Sequence, residues 1–133
     1  EAVVFSGMKA PKYFFTNVKR HGALLAKGRM LGIQFDTLFT DELYFKISRH
    51  AIAMATRIRS IFEKHGIAIA YDSPTNQQFV VLSPALYEAL SQKVAFEIWE
   101  RKSEHEIICR FVTSWATKEE ELDELDRILQ AYA

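Results

Sequence analysis

One arginine, Arg110, lies among apolar residues, where an unpaired positive charge is energetically unfavourable. Arg110 lies within His105–Trp115, a segment that predicts a β-strand. On such a strand it shares one face with Ile108 and Val112. A guanidinium between two β-branched apolar side chains needs an anionic partner, and its planar fork suits a carboxylate held by two parallel hydrogen bonds. That carboxylate belongs either to a ligand or to an Asp or Glu on a neighbouring element. The remaining alternative is an edge strand on which the face that carries Arg110 is exposed to solvent.

The first quarter of the chain carries charge of one sign. Residues 2–35 contain no Asp or Glu, although the whole chain is balanced at 17 acidic and 17 basic residues. The basic residues of this window are Lys9, Lys12, Lys19, Arg20, Lys27 and Arg29. Such a window indicates an anionic ligand or an acidic neighbouring chain, and the alternative is a solvated face.

The other residue types with chemical potential give weaker signals. The histidines, which are His21, His50, His65 and His105, lack the mutual spacing of metal ligands, so no metal site is expected. Cys109 faces away from Arg110 and is interpreted as a small core residue. Asn76 precedes a predicted strand and is expected to orient its loop or the arginine. Trp99 and Trp115 are interpreted as packing residues.

The elements that must position these residues have an α+β order from residue 41 onward. Thr40-Asp41 is an N-cap signal for a long helix with an apolar stripe, which Gly66 ends. Strands are predicted at 67–71, 77–82, 94–100 and 105–115. Ser83-Pro84 opens a short helix to about residue 92, and Thr117–Glu120 is a capping box for a last helix whose stripe ends at Tyr132. This order predicts a small, mostly antiparallel sheet with helices on one face.

The preceding 40 residues have a different character. Ala2–Phe5 predicts a short apolar strand that needs neighbours on both sides, and nothing nearby in the sequence supplies a partner. Helical segments follow at 12–21 and 24–39. We therefore expect two parts, residues 1–40 and residues 41–133, with the first part left over from another domain of a longer protein.

Composition narrows the class of protein. Hydrophobic residues make up 49% and charged residues 26% of 133 residues, as in a globular domain. A single cysteine fits a reducing compartment, and no apolar run has the length of a membrane span. A cytoplasmic protein without a membrane segment is expected.

Four segments, taken in order, resemble the threonine aldolase and aromatic β-eliminating lyase family. Cys109–Trp115 with its Thr-capped acidic helix resembles the closing segment of that family. Glu1–Phe5 resembles the strand after a Lys-containing, glycine-rich turn. Residues 19–30 resemble the basic cofactor-phosphate segment, and Thr75–Val80 resembles the strand that opens the small domain.

The resemblance implies a fold type I pyridoxal 5′-phosphate enzyme. Residues 41–133 would form its small carboxy-terminal domain, and residues 1–40 a strand and interface helices of its large cofactor-binding domain. Arg110, with Asn76 beside it, would bind the substrate α-carboxylate. Arg29, assisted by Lys19, would contact the cofactor phosphate, and in this family that contact can come from the neighbouring subunit. The lysine that holds the cofactor would lie upstream of Glu1, so this chain would contain no catalytic residue and be inactive alone.

The implied activity is cleavage of a β-hydroxy amino acid, such as threonine to glycine and an aldehyde, with elimination at Cβ as the close alternative. The implied partners are an amino-acid substrate, the large domain of the same protein and further copies in a homodimer or homotetramer. Neither nucleic acid nor membrane is implied. The competing hypothesis is a self-standing α+β binding or oligomerisation module with a basic, anion-binding face. The predicted strands lack the aromatic signature of RNA-binding domains, which argues against a nucleic-acid partner for such a module.

Overall fold

The computed structural model describes residues 3–132. The chain divides into two compact units, Glu1–Tyr44 and Phe45–Ala133. The sheet and every buried side chain of the described residues belong to the second unit.

The first unit is helical. Helix α1 spans Phe14–Arg20 and helix α2 spans Arg29–Phe39, and neither helix buries a residue. Gly22, at φ 68°, ends α1 in a left-handed turn that returns the Ala23 N–H to the Val18 carbonyl at 3.0 Å. Helix α2 begins at Arg29, five residues later than the predicted residue 24.

Two predictions for this unit are corrected. Of the predicted strand Ala2–Phe5, Ala2 lies outside the described residues, and residues 3–5 belong to no strand of this chain. A strand forms only where a neighbouring strand accepts its hydrogen bonds, and the sheet of the described chain contains four other segments.

The start of the long helix is the second correction. The predicted N-cap at Thr40-Asp41 fails because the Thr40 hydroxyl donates to the Asp36 carbonyl at 2.7 Å and so closes α2. A 3₁₀ turn, Thr40–Glu42, follows, and both Asp41 (φ 51°) and Glu42 (φ 58°) adopt the left-handed region that non-glycine residues rarely occupy.

Helix α3, Leu43–Lys64, buries the predicted apolar stripe from Ala51 onward, whereas Leu43 at its start is 38% exposed, and Gly66 ends the helix as expected. The Ile67 N–H bonds back to the Phe62 carbonyl at 2.9 Å across that glycine, at φ 71°. The buried positions of α3 are Ala51, Met54, Ala55, Ile58, Ile61 and Phe62.

The second unit contains a four-stranded antiparallel sheet in the order β1-β2-β4-β3. Its strands are β1 (Ile69–Tyr71), β2 (Gln77–Leu82), β3 (Glu97–Arg101) and β4 (Ile107–Val112). One face carries Val80, Leu82, Ile107, Cys109 and Phe111, which join buried residues of the helices in a single core. The predicted α+β fold with helices on one face of the sheet is confirmed.

The two remaining helices complete that layer. In α4, Pro84–Ser91, Ser83 is the N-cap as predicted, because its hydroxyl accepts from the Leu86 N–H at 3.3 Å. In α5, Glu119–Gln130, the cap lies one residue later than predicted: Glu121 accepts from the Lys118 N–H at 3.0 Å. Tyr132, expected in the core stripe, is 48% exposed.

Candidate functional site

Arg110 lies on the sheet face opposite the helices, as the alternation along its strand predicted. Its cross-strand neighbours are Phe79 on β2 and Glu97 on β3. Ile108, on the same face, is buried, whereas Val112 is 55% exposed. The arginine therefore sits where an apolar surface gives way to solvent.

Some of the hydrogen-bond donors of the Arg110 guanidinium have partners in the described chain and others do not. Glu97 accepts a hydrogen bond from Nη2, and the Gln77 side-chain oxygen accepts from Nη1 at 3.2 Å. Nε is buried and has no hydrogen-bond partner among residues 3–132. The Arg110 side chain is 25% exposed and that of Glu97 is 67% exposed. Of the partners that the sequence left open, the structure shows an acidic residue on a neighbouring strand.

Aromatic rings extend the site across the same face. The register of β3 shifts between Ile98 and Glu100, which leaves Trp99 opposite no residue of β4. The Trp99 ring lies 5.4 Å from the Arg110 guanidinium carbon and 5.2 Å from the Phe79 ring. Tyr71 on β1 continues the row, 5.5 Å from Phe79.

The expectation that both tryptophans are packing residues is wrong, because Trp99 is 52% exposed and Trp115 71% exposed. The Trp99 ring packs against the Arg110 guanidinium on the surface of the sheet and does not contribute to the hydrophobic core.

Asn76 performs the first of its two expected roles. Its side-chain N–H donates to the Thr113 carbonyl at 2.7 Å, and its own carbonyl accepts from the Thr113 N–H at 3.0 Å. These bonds tie the start of β2 to the end of β4. Asn76 therefore fixes the loop at the strand ends, next to Gln77, whose side chain accepts a hydrogen bond from Arg110.

Cys109 has no exposed surface, and burial raises the pKa of its thiol to about 11. A thiol with a raised pKa stays protonated and is a poor nucleophile. The interpretation of Cys109 as a core residue is confirmed.

Arg29 and Lys19 belong to the first unit, whereas Arg110 and Asn76 belong to the second. Arg29 is the first residue of α2, where Gly28 provides no side-chain cap and the first turn holds no acidic residue. The first N–H groups of that helix therefore lack a side-chain acceptor, and an anion is favoured there. Lys19 lies exposed in the last turn of α1, where a cation complements the helix dipole.

Residues 3–132 contain no group of three His, Cys, Asp or Glu side chains placed to hold a metal ion. Within the same residues, no helix combines the length and the apolar character that crossing a membrane would require.

Glu97 and Gln77, the two hydrogen-bond partners of Arg110, carry no motif of their own in the sequence. Glu97 and Trp99 stand two residues apart on a predicted strand, which was the available sign that they share a face. Which residue of β4 they oppose depends on the register between strands, and no local pattern specifies it.

Comparison with known proteins found a match among solved structures, and neither a family model nor a curated protein matches the chain. The matching structure is a threonine aldolase of Leishmania major, with 33% sequence identity and a TM-score of 0.86. The match covers 92% of this chain and 36% of that one, so the chain spans roughly a third of the length of its relative. The chain is therefore similar in sequence and in fold to the carboxy-terminal part of a threonine aldolase-like protein.

Proposed function

We propose that this chain forms part of a pyridoxal-phosphate-dependent lyase that cleaves β-hydroxy amino acids to glycine and an aldehyde. The observation that carries the proposal is Arg110, an arginine on the open face of the sheet with an unpartnered Nε, in a chain 33% identical to a threonine aldolase. When bound, pyridoxal phosphate withdraws electrons from the amino acid so that a bond at Cα can break.

Arg110 fits the task of holding the substrate α-carboxylate. Its guanidinium is held on two sides, by Gln77 and by the Trp99 ring. Each Nη group carries a second N–H beyond the one bonded to Gln77 or Glu97, so donors remain for a ligand. A carboxylate gripped by two parallel hydrogen bonds cannot rotate freely, so the bonds at Cα take a fixed orientation. Orientation of this kind contributes several kcal/mol to lowering a barrier, up to about 7–11 kcal/mol in the best intramolecular cases.

Arg29 and the start of α2 fit the cofactor phosphate. The helix offers N–H groups without a side-chain cap, a guanidinium at its first position and no competing acid in the first turn. A phosphate dianion is the ligand that this donor set suits best. Lys19 would add a second positive charge from α1. We propose that the lysine that holds the cofactor lies in the part of the full-length protein that the 133 residues do not include. The isolated chain is therefore proposed to be inactive.

We also propose a cytoplasmic protein that works as a homodimer or homotetramer. The single, buried Cys109 suits a reducing compartment. The acid-free window of residues 2–35 suits a phosphate bound where two subunits meet, because a basic surface offsets the charge of the anion.

The carboxylate role is tested by Arg110→Ala in the full-length protein. Loss of the cation should raise KM for threonine at least about tenfold, because one partner of a charged pair is removed, while the visible absorbance of the bound cofactor stays. Arg101→Ala is the matched control, since Arg101 lies on β3 over the Tyr87 ring and its loss should leave KM unchanged. Loss of cofactor with unchanged substrate affinity would contradict the assignment.

The phosphate role is tested by Arg29→Ala, again in the full-length protein. We expect weaker cofactor retention on dialysis, measured by absorbance, with Lys9→Ala as a control from the same basic window. Full occupancy in the Arg29 variant would count against this role. A further check mixes the isolated chain with pyridoxal phosphate, and a stoichiometric, catalytically active adduct would contradict its proposed inactivity.

A further inference from the structure

Glu97 already occupies part of the surface where Arg110 would bind a ligand. The two residues face each other directly across the β3–β4 ladder, and their side chains form an ion pair. A contact fixed by the sheet register persists whenever the site is empty, because it needs no movement of the backbone. The Glu97 carboxylate is mostly exposed, at 67%, so it can turn into water without losing buried contacts.

The geometry of a guanidinium makes this contact a direct competitor. A guanidinium presents two edges that can grip a carboxylate with two parallel hydrogen bonds, and Nη2 belongs to both. Glu97 accepts its hydrogen bond from Nη2. A ligand carboxylate bound through either edge therefore takes the place of Glu97 or lies beside it, against a like charge.

We propose that Glu97 is an internal competitor that lowers the affinity of Arg110 for the substrate carboxylate. This inference rests on the proposed role of Arg110 and adds a residue that sets its binding strength. Glu97 keeps the arginine paired when no substrate is present and leaves when a carboxylate with two well-placed oxygens arrives. A ligand that offers one hydrogen bond lacks the second interaction that offsets the displacement, so the pair selects for a full carboxylate.

Two neighbours keep the guanidinium in place during the exchange. Gln77 holds Nη1 at 3.2 Å through an uncharged oxygen, and the Trp99 ring lies 5.4 Å from the guanidinium carbon. Neither carries a net negative charge. They therefore act as positioning residues, and Glu97 is the only charged group that the structure shows bonded to Arg110 in the described chain.

The test uses the 133-residue chain carrying Trp115→Phe. That change leaves Trp99 as the single tryptophan and removes a side chain that is 71% exposed. Trp99 fluorescence then reports on Arg110, which lies against its ring. The ligand is N-acetylglycine, which has a carboxylate but no ammonium group to repel the arginine, titrated at constant ionic strength. N-acetylglycinamide, which lacks the carboxylate, is the ligand control.

With Glu97→Gln added, we expect N-acetylglycine to bind about fivefold to tenfold more tightly, since a like charge close to the bound anion is removed. Glu97→Ala should act in the same direction. Glu100→Gln is the matched control, because Glu100 is on the same strand and bonds to the Tyr71 hydroxyl instead, so its loss should change the affinity little. Circular dichroism establishes that each variant is folded.

The outcomes separate the two proposals. Unchanged or weaker binding in both Glu97 variants overturns the competitor role, and the role of Arg110 stands if Arg110→Ala abolishes binding. If Arg110→Ala binds as tightly as the parent chain, Arg110 is not the carboxylate site and both proposals for it fail. Absence of binding in every variant, including Glu97→Gln, also overturns the competitor role.

Discussion

Thr113 links three segments of the second unit through one buried hydroxyl group. Its Oγ1 donates to the Ala51 carbonyl of α3 at 2.7 Å and lies 3.3 Å from the Asn76 carbonyl. Thr113→Val keeps the shape of the side chain and removes the donor, so we expect a loss of about 1–2 kcal/mol in the free energy of unfolding. Urea denaturation measures it. Thr56→Val is the control, because the Thr56 hydroxyl is exposed on α3, and an equal loss in both variants would contradict a special role for Thr113.

Cys109 makes stability depend on pH in the alkaline range. Burial raises the pKa of its thiol from 9.0 to about 11. Between these values the unfolded chain loses the thiol proton first, so alkali favours unfolding, and this contribution to stability is present below pH 9 and lost toward pH 11. The urea midpoint should therefore fall between pH 8 and about 10.5, and fall less in Cys109→Ala. Equal slopes in the two chains would show that the thiol is not responsible.

At the scale of elements, α3 and α5 are joined at one end by hydrogen bonds that Asp126 makes with Lys64 and His65. Asp126 of α5 accepts from the Lys64 ammonium at 2.7 Å and contacts the His65 ring at 2.6 Å. Hydrogen bonds from Lys64 and then from His65 lower the pKa of the Asp126 carboxyl below its ordinary 3.8. A carboxyl with a lowered pKa contributes stability above the ordinary value and loses it as pH falls through the lowered one.

In the Asp126→Asn variant, the free energy of unfolding should therefore decrease less on acidification than it does in the parent chain. We expect the urea midpoint to fall between pH 6 and about 3 in the parent chain and to fall less in the variant. Glu124→Gln removes one negative charge from the same helix, where Glu124 pairs with Arg127, and serves as the control. A parent-like acid response in the Asp126 variant would contradict this explanation.

Elements were predictable where the local pattern was strong. The bounds of β2, the cap at Ser83 and the end of α3 at Gly66 follow from alternation and from capping residues within a few positions. The start of α3 did not follow, because Thr40 can cap the next helix or close the previous one, and tertiary context decides between them. The face of Arg110 was likewise predictable from period two, whereas its pairing with Glu97 depends on strand register.

The whole molecule distributes its buried surface unevenly. Every buried apolar side chain of the described residues falls between Ala51 and Leu129. Helices α1 and α2 bury none, and they carry exposed apolar side chains such as Phe15 at 71% and Met30 at 68%. Burial of apolar surface is the main favourable contribution to folding, so the second unit holds the stability of the chain.

This distribution predicts that residues 41–133 fold without the first 40. We expect one cooperative urea transition with a midpoint close to that of the 133-residue chain, and little helical circular dichroism for residues 1–40 alone.

The control removes α5 by ending the chain after Ala116, which deletes Leu122, Leu125, Ile128 and Leu129 from the core. Each such side chain stabilises by about 1.5–3 kcal/mol when buried, so four amount to roughly 6–12 kcal/mol, comparable with the stability of an entire domain. A chain without α5 should show no cooperative transition, and the same failure in residues 41–133 would mean that the first unit is needed for folding.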